Sequence, residues 1–321
     1  MMRRFLPLLL FCLLLCGCAK DPLAPMANPA ASAIPEPVVA GLPASRDQAT
    51  LWFRFDTEPY LAAETREIAF SQTESYALAL LRALIEGPSA AATDLNSLFP
   101  PGTQVVSVTQ SGRVMFVTLS KHIMNGFADE PASWRDQPRW AAEVPLRRKL
   151  AMQSIAATLT ENCAVDTVVI LVDQTTTDSL RLRQGYYTLE GDPTLAAPLI
   201  RDEMLLLTPA RTAEVILQCW QEGDYGRLYR YIARNDPANG QPRPDEADFM
   251  QAMIELPHLL RAKAEGGSIS ADAQHAVFTV SGAWLDQGSE RPFSGMTLHL
   301  TREKGLWRVG LSELTGREAL P

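Results

Sequence analysis

The order of helical and strand patterns within residues 76–173 limits the fold more than any other feature of this sequence. The patterns run helix, strand, strand, helix and strand, over residues 76–85, 104–109, 113–120, 145–161 and 167–173. In the two helical segments apolar residues recur every three to four positions. Upstream, residues 50–55 and 61–69 predict further strands. The last strand is almost continuously apolar, which is typical of the middle of a sheet, so we predict a small sheet with both helices on one face.

Single residues predict where these elements begin and end. We expect Thr73 or Ser71 to cap the first helix, because a hydroxyl can accept from a free amide of the first turn. Gly87 and Pro88 should end it, since glycine adopts a positive φ and proline cannot continue a helix. Gly102 predicts a tight turn before the hairpin.

The N-terminal residues 1–17 are typical of a signal peptide. Arg3 and Arg4 form a basic region, and the apolar run 5–15 is too short to cross a hydrocarbon core of about 30 Å. The run ends in Leu-Cys-Gly-Cys, which resembles the bacterial lipobox and predicts lipidation of Cys18. We therefore expect a lipoprotein on the outer face of the cytoplasmic membrane. An ordinary secretory signal and an uncleaved anchor, in which Cys18 has no role, are the alternatives.

Proline content predicts how the rest of the chain is divided. Residues 18–47 contain six prolines and no apolar period, so they should form an extended tether rather than a helix or a central strand. A second break containing glycine and proline separates two folded regions. We predict a first domain at 48–190, a linker at 191–207 and a second domain at 208–321.

The second domain has helical patterns first and strand patterns after them. Thr208 and Pro209 suit the N-cap and first position of a helix. We predict helices at 209–222, 224–232 and 245–264, with Pro257 either bending the third helix or ending an early segment of it. We predict strands at 268–270, 275–285, 295–301 and 306–311. This order resembles the NTF2-like cone fold. The resemblance implies an α+β domain with a pocket at the mouth of a curved sheet.

The first domain contains four short motifs, LIEGP, FPPGT, VTLSK and ILVD, at residues 84–88, 99–103, 117–121 and 170–173. In their order and spacing they resemble the GerMN domain of sporulation and spore-germination lipoproteins. The resemblance covers about residues 48–190. It implies an α+β fold similar to the ring-building modules of secretion and sporulation complexes. It also implies a membrane-anchored, non-enzymatic protein with a scaffold or assembly role.

Two features of the first domain predict an interaction surface. The insert 127–143, with Trp134 and Trp140, departs from the GerMN pattern and is either a lid or interaction loop, or a cap over the core. On the second strand of the hairpin both sides are largely apolar, more than a sheet covered on one face needs. An exposed apolar patch commonly marks an interaction site. Self-association, contact with the second domain, contact with another protein and a cover formed by the insert all stay open.

The sequence contains no motif for a cofactor, a metal or a nucleophile, so we expect none of these. The net charge of −8 argues against nucleic acid as a partner. His275 and His299 could meet on neighbouring strands as a metal or general-base pair, although strand histidines are more often surface residues. We therefore expect a protein that binds envelope or sporulation proteins. A small-ligand binder using the C-terminal pocket and a peptidoglycan-acting enzyme are the alternatives.

Two further residue pairs have a structural and a functional interpretation. Asp245 and Asp248 could form a paired-carboxylate site, but an acidic first turn favoured by the helix dipole explains them more simply. Cys163 and Cys219 could form a disulfide outside the cell. Both lie among apolar residues, and we expect buried free thiols.

Overall fold

The computed structural model describes residues 45–175, 178–189, 191–286 and 288–316, all within one compact unit, Leu42–Pro321. The mixed α+β class is confirmed. Cys18, the signal peptide and nearly all of the tether lie outside the described residues.

A three-stranded sheet begins the structure. Its first strand, β1 (Ser45–Phe55), pairs antiparallel with β2 (Leu61–Phe70) along its whole length. Helix α1 (Tyr76–Glu86) follows, and the short strand β3 (Leu95–Asn96) pairs with the end of β1, giving the order β2-β1-β3. Apolar residues of both long strands are buried in the core. The short strand predicted at 61–69 is therefore a full partner of β1.

The N-cap of α1 differs from the prediction. The side chain of Ser75 caps it by accepting from the backbone N–H of Leu78 at 3.2 Å, so Thr73 and Ser71 are the wrong capping residues. Thr73 instead forms a hydrogen bond with Ser71 in the preceding turn. Gly87 has a φ of +111° at the C-terminal end, as predicted.

A second sheet contains the hairpin. Strands β4 (Val105–Ser111) and β5 (Val114–Leu119) pair antiparallel, helix α2 (Pro138–Asn162) follows, and β6 (Thr167–Thr175) runs parallel to β5. Strand β7 (Asp178–Arg181) then pairs antiparallel with β6. The order is β4-β5-β6-β7, which puts β6 inside the sheet.

Helix α2 begins seven residues before the predicted start. It includes the last part of the insert, and Pro145 lies inside it. Pro138 suits the first position of a helix, where its missing N–H costs nothing. Val144 is fully buried, so packing holds the first turns in place despite Pro145.

A row of polar side chains on α2 forms hydrogen bonds with the backbone of β1. The side chain of Ser154 donates to the carbonyl of Trp52 at 2.6 Å, and that of Thr158 accepts from its N–H at 3.2 Å. One turn further on, the amide of Asn162 both accepts from and donates to the backbone of Thr50, at 3.0 and 2.8 Å. These bonds pair the backbone N–H and C=O groups of β1 that point away from β2. Without α2 these groups would be unpaired, as they are on an edge strand.

The residues predicted to form a linker are packed against the first half of the fold, which comprises strands β1 to β7 with helices α1 and α2. Strand β8 (Leu199–Ile200) pairs with β6, and Leu206 is fully buried. The N–H of Leu207 donates to the carbonyl of Leu61 at 2.8 Å. The hydrophobic core is accordingly continuous from the first half into the second.

The second half places helices on one face of an antiparallel sheet. Helices α3 (Pro209–Glu222), α4 (Tyr225–Tyr229) and α5 (Glu246–Glu255) come first. They are followed by β9 (His258–Ile269), β10 (His275–Asp286), β11 (Ser289–Glu303), β12 (Leu306–Val309) and helix α6 (Leu311–Thr315). The sheet order is β12-β11-β10-β9, and α3 contacts all four strands. As predicted, Thr208 caps α3.

The third predicted helix, 245–264, is wrong in its second half. Helix α5 ends at Glu255, and β9 starts at His258. Leu256 has an extended backbone, ψ 154°, as expected for a residue before proline, because Pro257 disfavours the helical conformation of its neighbour. Strand β9 also includes residues 268 and 269 of the segment 268–270, which the sequence predicts as a separate strand.

Candidate functional site

The two faces of the β4–β7 sheet differ in how well they are covered. Met115, Val117 and Leu119 of β5 are buried on the inner face and belong to the core with α1 and α2. On the other face Val114 and Phe116 are half-buried. Leu171 of β6 joins them there, because the parallel register places it opposite Thr118. Within the described residues the continuous core excludes Val114, Phe116 and Leu171.

We call this surface the outer face and define it by Val114, Phe116, Thr118, Val169 and Leu171. The register aligns Phe116 with Val169 and Thr118 with Leu171, so the five side chains are contiguous. Thr118 and Val169 are buried at its centre. Apolar area that stays in contact with water on a folded sheet is a candidate contact for another molecule.

The insert 127–143 packs elsewhere. Phe127 and Trp134 are buried with Val144 in a small cluster separate from the main core, and Trp140 is half-buried against it. Arg147 lies over the rings of Phe127 and Trp140, at 5.4 and 5.5 Å. The two tryptophans thus pack around the start of α2 rather than capping the main core.

Charged groups fix the insert to the rest of the fold. Arg147 donates to both carboxylate oxygens of Asp129 at 2.6 and 2.9 Å and to Glu143 at 2.7 Å. Glu143 also accepts two hydrogen bonds from the buried Arg54. Burial opposes ionisation of Glu143, but the hydrogen bonds from Arg54 and Arg147 outweigh it and hold its pKa below the ordinary value. The hydrogen bond from Arg147 likewise lowers the pKa of Asp129.

This network continues into the second half through the β1–β2 turn. Arg54 also donates to the carbonyl of Glu58 at 2.9 Å. The carboxylate of Glu58, only 3% exposed, accepts from Arg227 at 2.8 Å and from Arg230 and Tyr231 at 3.3 Å. Burial and the neighbouring carboxylate raise the pKa of Tyr231. The first half supplies the anion here and the second half supplies the cations.

A second contact between the halves repeats this arrangement. Asp94 accepts from Arg234 at 3.0 Å and from Arg308 at 2.6 Å. Arg308 is 3% exposed, and burial lowers its pKa below the ordinary value. Beside it, a Cβ on Gly305 would lie 2.5 Å from the carbonyl oxygen of Ala63, so the β11–β12 turn meets β2 at backbone distance.

The candidate histidine pair lies on one face of the β9–β12 sheet. His275 pairs with Thr301, two residues from His299, so the histidines are diagonal neighbours. Both are exposed, and His299 is paired with Glu313 at 3.0 Å. The residues that the structure describes contain no group of three potential metal ligands.

The other candidate residues have structural roles. Asp245 caps α5 by accepting from the N–H of Asp248 at 2.9 Å, as the simpler interpretation predicted. Cys163 and Cys219 are free thiols, and burial raises the pKa of Cys219 to about 12. Cys18 lies outside the described residues.

The second half has a cavity of about 320 Å³ beside α6, but its carboxylate is already saturated. The carboxylate of Asp236 accepts from the N–H and hydroxyl of Ser312 at 2.7 and 2.8 Å and from the N–H of Ala238 at 2.9 Å. These bonds lower the pKa of Asp236 against the effect of burial. The geometry fits a structural link better than a ligand site.

Comparison with known families finds one match, and it lies in the first half of the fold. Residues 50–178 match the Germane family model, described as sporulation and spore germination. The Germane region covers fewer than half of the 321 residues and includes the outer face, the insert and the β1–β2 turn. No curated protein matches the chain. In the described part of the chain, no helix is both long and apolar enough to cross a membrane.

Solved structures with similarity include two from Bacillus subtilis. The tandem GerMN domains of the sporulation protein GerM are 17% identical, with a TM-score of 0.34, and the match covers 53% of this chain and 51% of that one. The first GerMN domain of the same protein is 16% identical, with a TM-score of 0.31 over 49% of this chain and 98% of that one. The chain thus spans about half the length of the tandem structure.

Proposed function

We propose that this chain is a non-enzymatic, lipid-anchored interaction protein of sporulation, spore germination or envelope assembly. It acts outside the cytoplasmic membrane by presenting the Germane region to other proteins. The family match supports the setting. The single observation that carries the mode of action is the outer face, whose apolar residues stay partly in water although the same sheet is fully packed on its inner side.

The position of the insert strengthens this interpretation. Phe127 and Trp134 are buried in their own cluster, so their apolar area is already used at the start of α2. A second copy of the chain or a different protein is then left to cover Phe116 and its neighbours. The proposed fold of the first half as a ring-building-like module and of the second half as an NTF2-like cone fits both occupants.

The outer face is tested by introducing charge at its centre. We expect Phe116→Glu to abolish binding to a partner that crosslinks to the wild-type chain in host membranes, is identified by mass spectrometry and is then purified for a binding assay. Val277→Glu is the matched control, because Val277 is a half-buried residue on the solvent face of β10. Sedimentation of the purified chain tests the second-copy alternative with the same two variants.

The results of these variants distinguish an interaction surface from an inert face and from an enzyme. Loss of partner binding or of self-association in Phe116→Glu alone, with an unchanged unfolding midpoint, supports the proposal. Equal behaviour of Phe116→Glu, Leu171→Glu and Val277→Glu would show that the outer face binds nothing. Turnover of a peptidoglycan substrate by the chain, abolished by one substitution, would overturn the non-enzymatic role.

The anchor has a separate test. Metabolic labelling with a fatty-acid analogue should mark the wild-type chain and not Cys18→Ala, which should leave the membrane fraction. Equal labelling and equal membrane retention of the two chains would show that Cys18 carries no lipid.

A further inference from the structure

A cleft of about 420 Å³ lies at the β7 side of the Germane region, and arginines line it. The insert contributes Arg135, α2 contributes Arg148, and β7 and the turn after it contribute Arg181 and Arg183. Among the described residues of the lining one is acidic, Asp192, and its Oδ1 accepts hydrogen bonds from the backbone and side chain of Thr194, at 2.9 and 2.8 Å. The cleft is therefore a basic site on a chain with a net charge of −8.

The four arginines of the cleft differ in their counter-charges: Arg148 has the carboxylate of Glu130 at 3.9 Å, whereas Arg181 and Arg183 have no such neighbour among the described residues. Outside the cleft, Arg147 and Arg227 each have a carboxylate at 2.9 Å or closer. Arg135 lies over the ring of Trp134 at 4.3 Å. Like charges gathered without anions repel one another, so an anionic ligand would be bound with a favourable change in electrostatic energy.

Apolar side chains in the same cleft narrow the class of ligand. Met124 and Leu180 are 49% and 50% exposed, and the buried ring of Tyr186 forms part of the wall. An inorganic anion would use none of this apolar surface. The cleft instead matches a ligand that combines carboxylates with apolar side chains, and arginine binds carboxylates in a bidentate geometry.

The depth of the cleft favours a peptide over a membrane surface as its ligand. Arg148 is only 9% exposed and donates to the carbonyl of Tyr186 at 3.3 Å, so it sits low in the cleft. A flat array of lipid headgroups cannot fill a recess of this depth, whereas the side chains of a peptide can. Arg181 pairs with Leu171 and lies on the outer-face side of β7, whereas Leu180 pairs with Val172 and lies on the inner side. The cleft is therefore at the β7 edge of the sheet, next to the outer face.

We infer that this cleft binds an acidic, partly apolar peptide segment of a partner protein, with carboxylates held by Arg181 and Arg183. This inference rests on the proposed function, because it specifies the chemistry of the partner that the proposed function requires. The peptide's apolar side chains would contact Met124 and Leu180.

The test uses the full chain in a neutral detergent and a fluorescein-labelled peptide of alternating glutamate and leucine. We expect binding that weakens with added salt, and at least about a tenfold loss of affinity in the double variant Arg181→Gln/Arg183→Gln, since two charge-assisted contacts are removed. The matched control is Arg46→Gln/Arg261→Gln, which removes the same charge from two exposed surface pairs far from the cleft in the sequence. It should bind within about twofold of the wild type.

Each outcome has a defined meaning. Equal binding by both double variants, equal binding of a glutamine–leucine peptide, or no binding by the wild type would overturn the inference. Binding of anionic phospholipid vesicles that depends on Arg181 and Arg183 and that the peptide does not displace would show a membrane contact instead. If Phe116→Glu abolishes partner binding while Arg181→Gln/Arg183→Gln leaves it intact, the proposed function stands and the inference about the cleft fails.

Discussion

The polar row of α2 that completes β1 predicts a specific loss of stability. In the variant Thr158→Val the side chain keeps its shape and its β-branch, but it can no longer accept from the N–H of Trp52. Thr158 is fully buried and the side chain of Trp52 is 6% exposed, so water cannot easily take the place of the lost acceptor. The N–H of Trp52 is then left unpaired inside the protein.

The magnitude follows from that unpaired group. Leaving a buried donor without an acceptor costs about 1–3 kcal/mol, whereas the exchange of a methyl for a hydroxyl of the same size adds little cavity energy. We therefore expect the free energy of unfolding to fall by about 2 kcal/mol. Ser154 still donates to the carbonyl of Trp52, so the strand should stay in place and the effect should be local.

Urea denaturation of the full chain, followed by tryptophan fluorescence, measures this change. Thr160→Val is the matched control on the same helix. The hydroxyl of Thr160 bonds to the carbonyls of Ala156 and Ala157, one turn back, and its removal leaves no unpaired donor. We expect less than about 0.5 kcal/mol for Thr160→Val. Hydrogen exchange at the amide of Trp52 should also become faster in Thr158→Val.

Two results would refute the reasoning. The first is a loss in Thr158→Val no larger than that in Thr160→Val, which would mean that the edge of β1 does not depend on α2. The second is a large loss with a changed denaturant slope, which would point to a change in compactness rather than to one unpaired amide.

Three further predictions concern the buried charges and a buried hydroxyl. Glu58→Gln should lower the free energy of unfolding by about 2–4 kcal/mol in urea denaturation, because it removes the buried charge between the two halves. The control Glu67→Gln, in a pair whose side chains are 48% and 66% exposed, should change it by less than about 0.5 kcal/mol. Equal losses in the two variants would contradict the view that the buried ion pair contributes more stability than the exposed one. Folding lowers the pKa of Glu143, so its contribution to the free energy of unfolding is present above the unfolded pKa of about 4.3 and is lost as pH falls through the folded pKa. Between about pH 5 and pH 3 the wild type should therefore lose stability more steeply than Glu143→Gln. Parallel plots of stability against pH for the two chains would refute this role of Glu143. Tyr186→Phe should be neutral or stabilising by up to about 2 kcal/mol, since the buried hydroxyl has no hydrogen-bond partner among the described residues. A clear loss of stability in urea denaturation would mean that the hydroxyl does have a partner.

Local signals in the sequence predicted those elements whose ends are determined by local chemistry. Thr208 and Gly87 act where the sequence placed them, because capping and positive φ depend on a few neighbouring residues. The early start of α2 was missed since its first turns show no apolar period and Pro145 suggests a break. The buried side chain of Val144 and the ion pairs of Arg147 hold these turns, and such contacts leave no trace in a local window.

The candidate site was predictable in part. Alternating apolar residues on the second strand of the hairpin indicated a sheet with two apolar faces, and the half-buried Phe116 agrees with that pattern. The pairing of Arg54 with Glu143 spans 89 positions, so no spacing rule could have found it. A single usable signal for the arginine cleft was the closeness of Arg181 and Arg183 in the sequence, and it says nothing about Arg148.

The distribution of charge between the two halves has an evolutionary consequence. The first half contributes the carboxylates of Glu58 and Asp94, and the second half contributes the guanidinium groups of Arg227 and Arg308. Among the described residues, neither these carboxylates nor these guanidinium groups have a counter-charge as close within their own half. A recombination that joined this Germane region to an unrelated C-terminal segment would leave the buried carboxylate of Glu58 and the half-buried carboxylate of Asp94 without these cations. The two halves should therefore be inherited together, and among descendants of this protein a change at Glu58 should be accompanied by a change at Arg227.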